Sequence, residues 1–253
     1  MEIQYHNSIP YTIIDGIRRY GETTPVNEQE IAHFHRTQAS YIHIIRHMRG
    51  LSKEAEQLAL TYTIQDGDET KPITKELLQD LLSTAGSKFH EHINDPLTII
   101  SFAEEHIQEK VKKREKLLWQ KTPRGDYVCR LVSYITGQEK EFFNLKPSEP
   151  LGTCHVVEIS EDIKPEITKE IRGKGEKIDE IPVNVIRGVP PQSNTLIIIL
   201  KKPDITAPAT IFTAYTGIIA PPLPYHTQTE EEFDYNKEWW EKHTFIIEPE
   251  NNL

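Results

Sequence analysis

The sequence predicts an α+β protein in which a helical N-terminal domain, residues 1–122, precedes an antiparallel β-sheet domain with a C-terminal helix, residues 123–253. Before residue 122, capping residues are followed by apolar residues at helical spacing. Beyond it, the apolar segments are short, β-branched and bounded by proline or glycine. They follow one another without the helical crossovers of about a dozen residues that parallel strands require, so we expect antiparallel pairing.

Four helices are expected in the N-terminal domain, and each starts at a residue that can cap it. The expected starts are Thr24-Pro25, Ser52, Thr74 and Asp95-Pro96. The corresponding ends are expected near Met48, Tyr62, Gly86 and Gln120. The centre of the last helix is mostly charged, which is typical of a solvated helix.

Short strands dominate the second domain. They are expected at Tyr127–Thr136, Gly152–Ile159, Pro182–Arg187, Thr195–Leu200 and Thr210–Thr216. A short helix is expected from Lys164-Pro165 to Arg172. Thr229 and Glu232 have the spacing of a capping box, which predicts a helix reaching about His243, and a closing strand is expected at 244–247.

Composition excludes several classes of protein. The formal charge is −10, from 39 Asp and Glu against 29 Lys and Arg, so no overall field attracts nucleic acid or anionic membranes. Two cysteines exclude a disulfide scaffold. No apolar run is long enough to span a membrane, and the N-terminus lacks the pattern of a secretion signal. We therefore expect a soluble protein that is cytoplasmic, or exported without a cleaved signal peptide.

Common cofactor and metal motifs are missing. The sequence contains no G-x-G-x-x-G, Walker, G-x-S-x-G or H-E-x-x-H motif, so no cofactor is expected. His43 and His47 have the i, i+4 spacing of metal-binding helices, but the central glutamate and an obvious third ligand are absent. We expect packing or surface histidines, with a metal site as a weaker alternative. Cys154 and His155 are adjacent on a predicted strand and point to opposite faces, so they do not form a catalytic pair.

Cationic and hydroxyl side chains stand out in the second domain. The candidate catalytic residues are His155, Arg172, Lys174 and Thr213, and the candidate substrate-binding residues are Arg187 and Tyr215. Thr213 and Tyr215 share a face of a strand because side chains alternate. Cleavage of RNA by its own 2′-OH needs a base, an acid and donors for the phosphorane charge, without any metal. The alternative is that these are ordinary strand formers and a half-buried histidine.

Three segments of this domain carry a family resemblance. They are Asn194-Thr-Leu-Ile-Ile-Ile-Leu200, Ile211-Phe-Thr-Ala-Tyr-Thr-Gly217 and Pro221-Pro-Leu-Pro224, which an acidic helix with tryptophans follows. The pattern resembles the C-terminal half of the barnase–EndoU–colicin–RelE-like toxin ribonucleases, although Thr216 stands where proline is commoner. The resemblance implies that His155 with Arg172 or Lys174 performs acid–base chemistry and phosphate binding. It also implies that Thr213 donates to the phosphate and that Tyr215 stacks or donates beside it.

Two functions are therefore predicted. The first is a metal-independent endoribonuclease of toxin or effector type, acting on RNA and bound by a cognate antitoxin or immunity protein. The second is a non-enzymatic, immunity-like interaction protein, because residues 151–253 carry 17 Asp and Glu against 10 Lys and Arg. An acidic and aromatic patch would serve that role. It consists of Glu230, Glu231, Glu232, Asp234, Glu238, Trp239, Trp240 and Glu241.

Overall fold

The computed structural model describes residues 3–6, 9–14, 17–25, 37–66, 69–84, 86–122, 125–162, 164–172, 179–221 and 230–247. Within these ranges the helices are α1 (Gln38–Ile45), α2 (Lys53–Ala59), α3 (Lys75–Leu82), α4 (Pro96–Lys112), α5 (Gly137–Phe142) and α6 (Glu230–Glu241). The strands are β1 (Ile3–His6), β2 (Ile9–Ile14), β3 (Ile17–Tyr20), β4 (Glu22–Pro25), β5 (Thr63–Asp66), β6 (Glu69–Pro72), β7 (Lys88–Phe89), β8 (Lys116–Lys121), β9 (Tyr127–Tyr134), β10 (Gly152–Thr153), β11 (Val156–Glu158), β12 (Glu166–Arg172), β13 (Asp179–Arg187), β14 (Gln192–Ser193), β15 (Thr195–Lys202), β16 (Thr210–Thr216) and β17 (His243–Ile247).

The α+β class with mostly antiparallel sheets is confirmed, but the predicted helical beginning is wrong. Strands β1, β2 and β3 form an antiparallel sheet before the first described helix. Thr24 and Pro25, expected to start a helix, lie in β4, which pairs with β8 at the edge of a sheet. Proline is tolerated there because an edge strand leaves some N–H groups unpaired. Residues 26–36, which the same predicted helix includes, lie outside the described residues.

Three predicted helix starts are confirmed. The side chains of Ser52, Thr74 and Asp95 each accept a hydrogen bond from a backbone N–H of the helix that follows. The expected end near Gln120 is wrong, because α4 ends at Lys112 and Arg114 adopts a left-handed conformation. The residues that follow include Leu117, Leu118 and Trp119, which are buried in β8.

The largest sheet has the strand order β16-β15-β9-β8-β4, and α1 and α4 pack against β16. One hydrophobic core joins these helices to the sheet, with Ile44 of α1, Ile100 of α4 and Ile198 of β15 all buried in it. Strands β4 and β8 precede residue 122, whereas β9, β15 and β16 follow it. The sheet and its core therefore cross the boundary predicted at residue 122.

A second sheet has the order β11-β17-β13-β12, with β13 and β17 parallel. The short helix expected after Lys164-Pro165 is wrong, because that segment forms β12 and pairs with β13 along seven residues. Helix α6 contacts β17 and β13, and Trp240 packs against Phe245. Strands β14, β10 and β7 form a further small sheet. No described helix is long and apolar enough to cross a membrane.

Candidate functional site

Strand β16 presents Thr213 and Tyr215 on the face of the large sheet opposite the main core. A bulge shifts the register between Ile199 and Leu200, so that Ile199 pairs with Thr213 and Ile197 pairs with Tyr215. Ile197, Ile199 and Tyr215 belong to one cluster on this second face. The period-two prediction that Thr213 and Tyr215 share a face is therefore confirmed.

Arg130 of β9 extends the same row of side chains. It lies opposite Ile199, which in turn lies opposite Thr213. Its Nη1 donates a 2.6 Å hydrogen bond to Oε1 of Gln120. Burial lowers the pKa of Arg130, and the nearby Tyr215 phenol opposes that shift. A guanidinium therefore lies within electrostatic range of the phenol.

Helix α1 brings two histidines to β16. Its Ser40 hydroxyl donates to the carbonyl of Ile211, which anchors the helix to the strand. The ring centroid of His43 lies 4.4 Å from that of Phe212, and the centroid of His47 lies 5.5 Å from that of Tyr215. We refer to His43, His47, Thr213 and Tyr215 as the α1–β16 cluster; each of the four is partly exposed.

His47 is held as a neutral imidazole in one tautomer. Its Nδ1 lies 3.0 Å from the carbonyl oxygen of Ser87, which can only accept, so Nδ1 carries the proton and Nε2 keeps a lone pair. Burial, followed by the nearby charges of Lys88 and Arg46, lowers the pKa of His47 to about 4, although the Ser87 bond opposes the shift. Its Nε2 can therefore accept a proton at neutral pH, although a pKa of about 4 makes it a weaker base than an imidazole that titrates near 7.

Cations surround the cluster although the chain is acidic. Arg46 follows α1 directly and lowers the pKa of both His43 and His47, and Lys201 contributes at His43, after the larger effect of burial. Lys88 Nζ donates to the carbonyls of Arg46 and Leu82, at 2.7 Å each. Lys201 pairs with Asp126 and lies 5.3 Å above the Phe212 ring. The basic character is thus local to this part of the sheet.

Two buried polar atoms here lack partners. Thr213 Oγ1 and Arg46 Nε have no hydrogen-bond partner among the described residues. A buried donor without an acceptor costs about 1–3 kcal/mol, so such atoms in a native protein need an explanation. An oxygen of a bound anion would satisfy either donor only after the neighbouring side chains move, because both atoms are shielded from solvent. The arrangement offers a base, donors and positive charge, which suits a phosphodiester.

His155 lies near His47, because both residues bond to Ser87, but its ring packs against the second sheet. Its backbone N–H donates to Ser87 Oγ at 3.1 Å, and its ring packs 5.1 Å from Phe245 of the second sheet. Ser87 therefore bonds both His47 and His155. The neighbouring Cys154 thiol donates to the Val156 carbonyl, and burial raises its pKa. Its thiol is accordingly not activated as a nucleophile.

The two remaining predicted cations in the described part of the chain, Arg172 and Arg187, are not gathered at one place. Arg187 is exposed at the end of β13 and lies beside Ile247 of β17. Arg172 lies opposite Asp179, at the other end of the β12–β13 hairpin. The two positions are about 26 Å apart along the hairpin, from the usual rise per residue in a strand. Lys174 lies outside the described residues.

The predicted acidic and aromatic patch is only partly exposed. Asp234, Glu238 and Glu241 are exposed on α6, but Trp239 is only 6% exposed. Trp240 is half-buried, with its ring centroid 4.9 Å from that of Phe245. The side chains of residues 230–232 lie outside the described ones. The α6 surface is therefore acidic, and its tryptophans serve packing.

The described part of the chain contains no group of three or more His, Cys, Asp or Glu side chains suited to a metal, so His43 and His47 gain no third ligand there. Comparison with protein-family models, curated proteins and solved structures found no match to this chain. Arg130 was not predicted, although a lone cation inside a predicted apolar strand was a usable signal. The sequence indicates His47 as half of a histidine pair, but its place beside Tyr215 depends on how α1 docks.

Proposed function

We propose that the protein is a metal-independent endoribonuclease of toxin type, and that the α1–β16 cluster is its reaction centre. One observation carries the proposal: a buried Thr213 hydroxyl, which has no hydrogen-bond partner in the described part of the chain, shares a basic site with a neutral His47 imidazole. The overall charge of −10 argues against a broad RNA-binding surface. Local cations meet that objection, because an RNA cleavage site needs positive charge only around one phosphate.

In the proposed reaction, Nε2 of His47 removes the proton of the 2′-OH. The 2′-oxygen forms a bond to phosphorus, and the bond from phosphorus to O5′ breaks. Thr213 and Arg130 stabilise the charge that develops on the phosphorane oxygens. The bound phosphodiester anion raises the pKa of His43, which then donates a proton to O5′. Tyr215 stacks against the adjacent base or donates to the phosphate.

Incubation of purified protein with total RNA, with and without chelator, tests the proposal. Cleavage is expected in both conditions and is expected to be lost in His47→Gln. His106→Gln is the matched control, because His106 is also a half-buried histidine with a lowered pKa but lies on α4. His155→Ala and Arg187→Ala test the assignment made from sequence. Absence of cleavage of any RNA by the wild-type protein would contradict the proposal.

A second candidate is a non-enzymatic interaction protein. The exposed carboxylates of Asp234, Glu238 and Glu241 on α6 favour it, because they suit a basic partner surface. Expression in bacteria separates the two functions: a toxin nuclease arrests growth, and its His47→Gln variant does not. An interaction protein leaves growth unchanged in both forms.

A further inference from the structure

A groove of about 600 Å³ lies on the side of the protein that carries α6. One wall is β11, which is the edge strand of the second sheet, and the other includes β14, the edge strand of the small sheet. The lining includes the apolar side chains of Val156, Ile218 and Trp239. Two strand edges thus border one groove with an apolar wall.

The edge of β11 offers backbone groups for pairing. His155 accepts from the N–H of Ile246, and Ile159 donates to the carbonyl of Lys242, so the odd-numbered residues bond to β17. The backbone groups of Val156 and Glu158 therefore point away from β17. The Val156 carbonyl accepts a hydrogen bond from the Cys154 thiol. The N–H groups of Val156 and Glu158 and the Glu158 carbonyl have no partner among the described residues.

The rim of the groove is acidic. Glu158 and Glu238 line it, and Glu241 lies beside them; all three are exposed. Each of these carboxylates raises the pKa of Lys242, with Glu238 the strongest because it bonds Lys242 directly. Glu241 also pairs with Lys237, whose Nζ lies 4.0 Å from its Oε1, so three carboxylates face two ammonium groups and the excess charge is negative.

We propose that this groove binds an extended segment of a partner protein that carries lysine or arginine, and that the segment adds as a strand to the edge of β11. Strand addition obtains affinity from main-chain hydrogen bonds and specificity from alternate side chains. Val156 and Glu158 share a face of β11, because side chains alternate along a strand. On that face the segment places an apolar side chain against Val156 and Trp239 and, two residues along, a cation near Glu158 and Glu241. This site is independent of the proposed ribonuclease centre.

The probe is a fluorescently labelled hexapeptide in which valine and lysine take turns at every second position, with threonine between them, so that both lie on one face of the strand. Binding is measured by anisotropy. Hydrogen exchange of backbone amides then locates the site. Binding is expected to slow exchange at Val156 and Glu158 by tenfold or more. Affinity is expected to fall steeply between about 0.05 and about 0.5 M salt, because the contacts at the rim are electrostatic. A peptide with N-methyl groups on its edge-facing amides is expected not to bind.

Matched protein variants test the charges. Glu158→Gln with Glu241→Gln is expected to weaken binding by about tenfold, a loss of about 1.4 kcal/mol. Glu105→Gln with Glu109→Gln removes two exposed carboxylates from α4 and is expected to leave affinity unchanged. RNA cleavage by the groove variants is expected to stay at the wild-type level, so failure of this proposal is distinguishable from failure of the proposed function.

Several results would overturn the proposal. One is absence of slowed exchange at Val156 and Glu158 at millimolar peptide. Equal binding of the peptide with glutamate in place of lysine is another. Protection of the same amides by an RNA oligonucleotide, or by concentration-dependent dimerisation of the protein, would assign the groove to a different occupant.

Discussion

Thr213→Val is the most informative single change at the proposed reaction centre. Valine has nearly the shape of threonine and carries a methyl group in place of the hydroxyl. Thr213 Oγ1 is buried without a partner among the described residues, so its removal relieves a desolvation cost of about 1–3 kcal/mol. The variant is therefore expected to unfold at least as high in temperature as the wild type, with a gain of about 2–4 °C per kcal/mol for a chain of this size.

Activity is expected to move in the opposite direction. If Thr213 donates to the phosphorane oxygens, its loss costs about 3–4 kcal/mol in the transition state, or roughly 10²–10³ in rate. Cleavage of a fluorogenic RNA at fixed protein concentration measures this loss, and thermal unfolding of the same samples measures stability. A variant that is more stable and less active cannot owe its lost activity to misfolding.

Thr216→Val is the matched control on the same strand. Thr216 Oγ1 is also buried without a partner among the described residues, but its methyl group faces Gly152. A similar gain in stability with unchanged cleavage is expected. If Thr213→Val cleaves RNA as fast as Thr216→Val, Thr213 is not a donor in the reaction. If Thr213→Val loses stability instead, the hydroxyl has a partner in the folded protein.

Three further predictions concern the same region. His47→Gln is expected to lower the cleavage rate by about 10²–10⁴, because it removes the general base; retention of more than half the rate would exclude His47 from that role. Because the His47 pKa is lowered from 6.5 to about 4, the unfolded state binds a proton first as pH falls, and stability is lost progressively between those values. The expected loss of unfolding free energy is on the order of 3 kcal/mol, which urea unfolding at several pH values measures. His47→Gln is expected to reduce this pH dependence. Identical pH profiles of stability for the wild type and His47→Gln would contradict the lowered pKa. Gly217→Ala is expected to destabilise the protein by about 2–4 kcal/mol, because Gly217 has φ +127° and an added Cβ would lie 2.7 Å from Cys154 Sγ. Cys154→Ala is expected to restore part of that loss, and no recovery in the double variant would show that the contact is not the cause.

Local signals in the sequence predicted local structure well. Ser52, Thr74 and Asp95 cap their helices as predicted, because a cap is a hydrogen bond between residues two or three apart. The prediction that the last helix of the N-terminal domain continues past Lys112 is wrong. The apolar run that follows, Leu117 to Trp119, suits either a helix or a strand, and pairing with β4 about 95 residues earlier determines the outcome.

In the candidate site, too, the sequence predicts local features but not long-range contacts. Alternation on β16 identified Thr213 and Tyr215 as neighbours on one face. The docking of α1, which brings His47 to Tyr215, depends on a hydrogen bond from Ser40 to Ile211 across 171 residues of sequence. No spacing rule reports such a contact. The same limit applies to Arg172 and Arg187, which are close to the motif in sequence but lie at opposite ends of a hairpin.

The effect of the negative net charge on RNA binding depends on where the charged side chains lie. The exposed carboxylates of Glu158, Glu238 and Glu241 lie around the groove beside α6, whereas Arg46 and Arg130 flank the α1–β16 cluster. At physiological ionic strength, fields between exposed charges decay over about 8 Å, so carboxylates farther away than that weaken only slightly the attraction of a phosphate at the cluster. An RNA substrate would therefore gain affinity from a few contacts at one phosphate and little from the rest of the surface. Such a site favours a short unpaired segment over a long duplex, because a duplex would also bring its phosphates against an acidic surface.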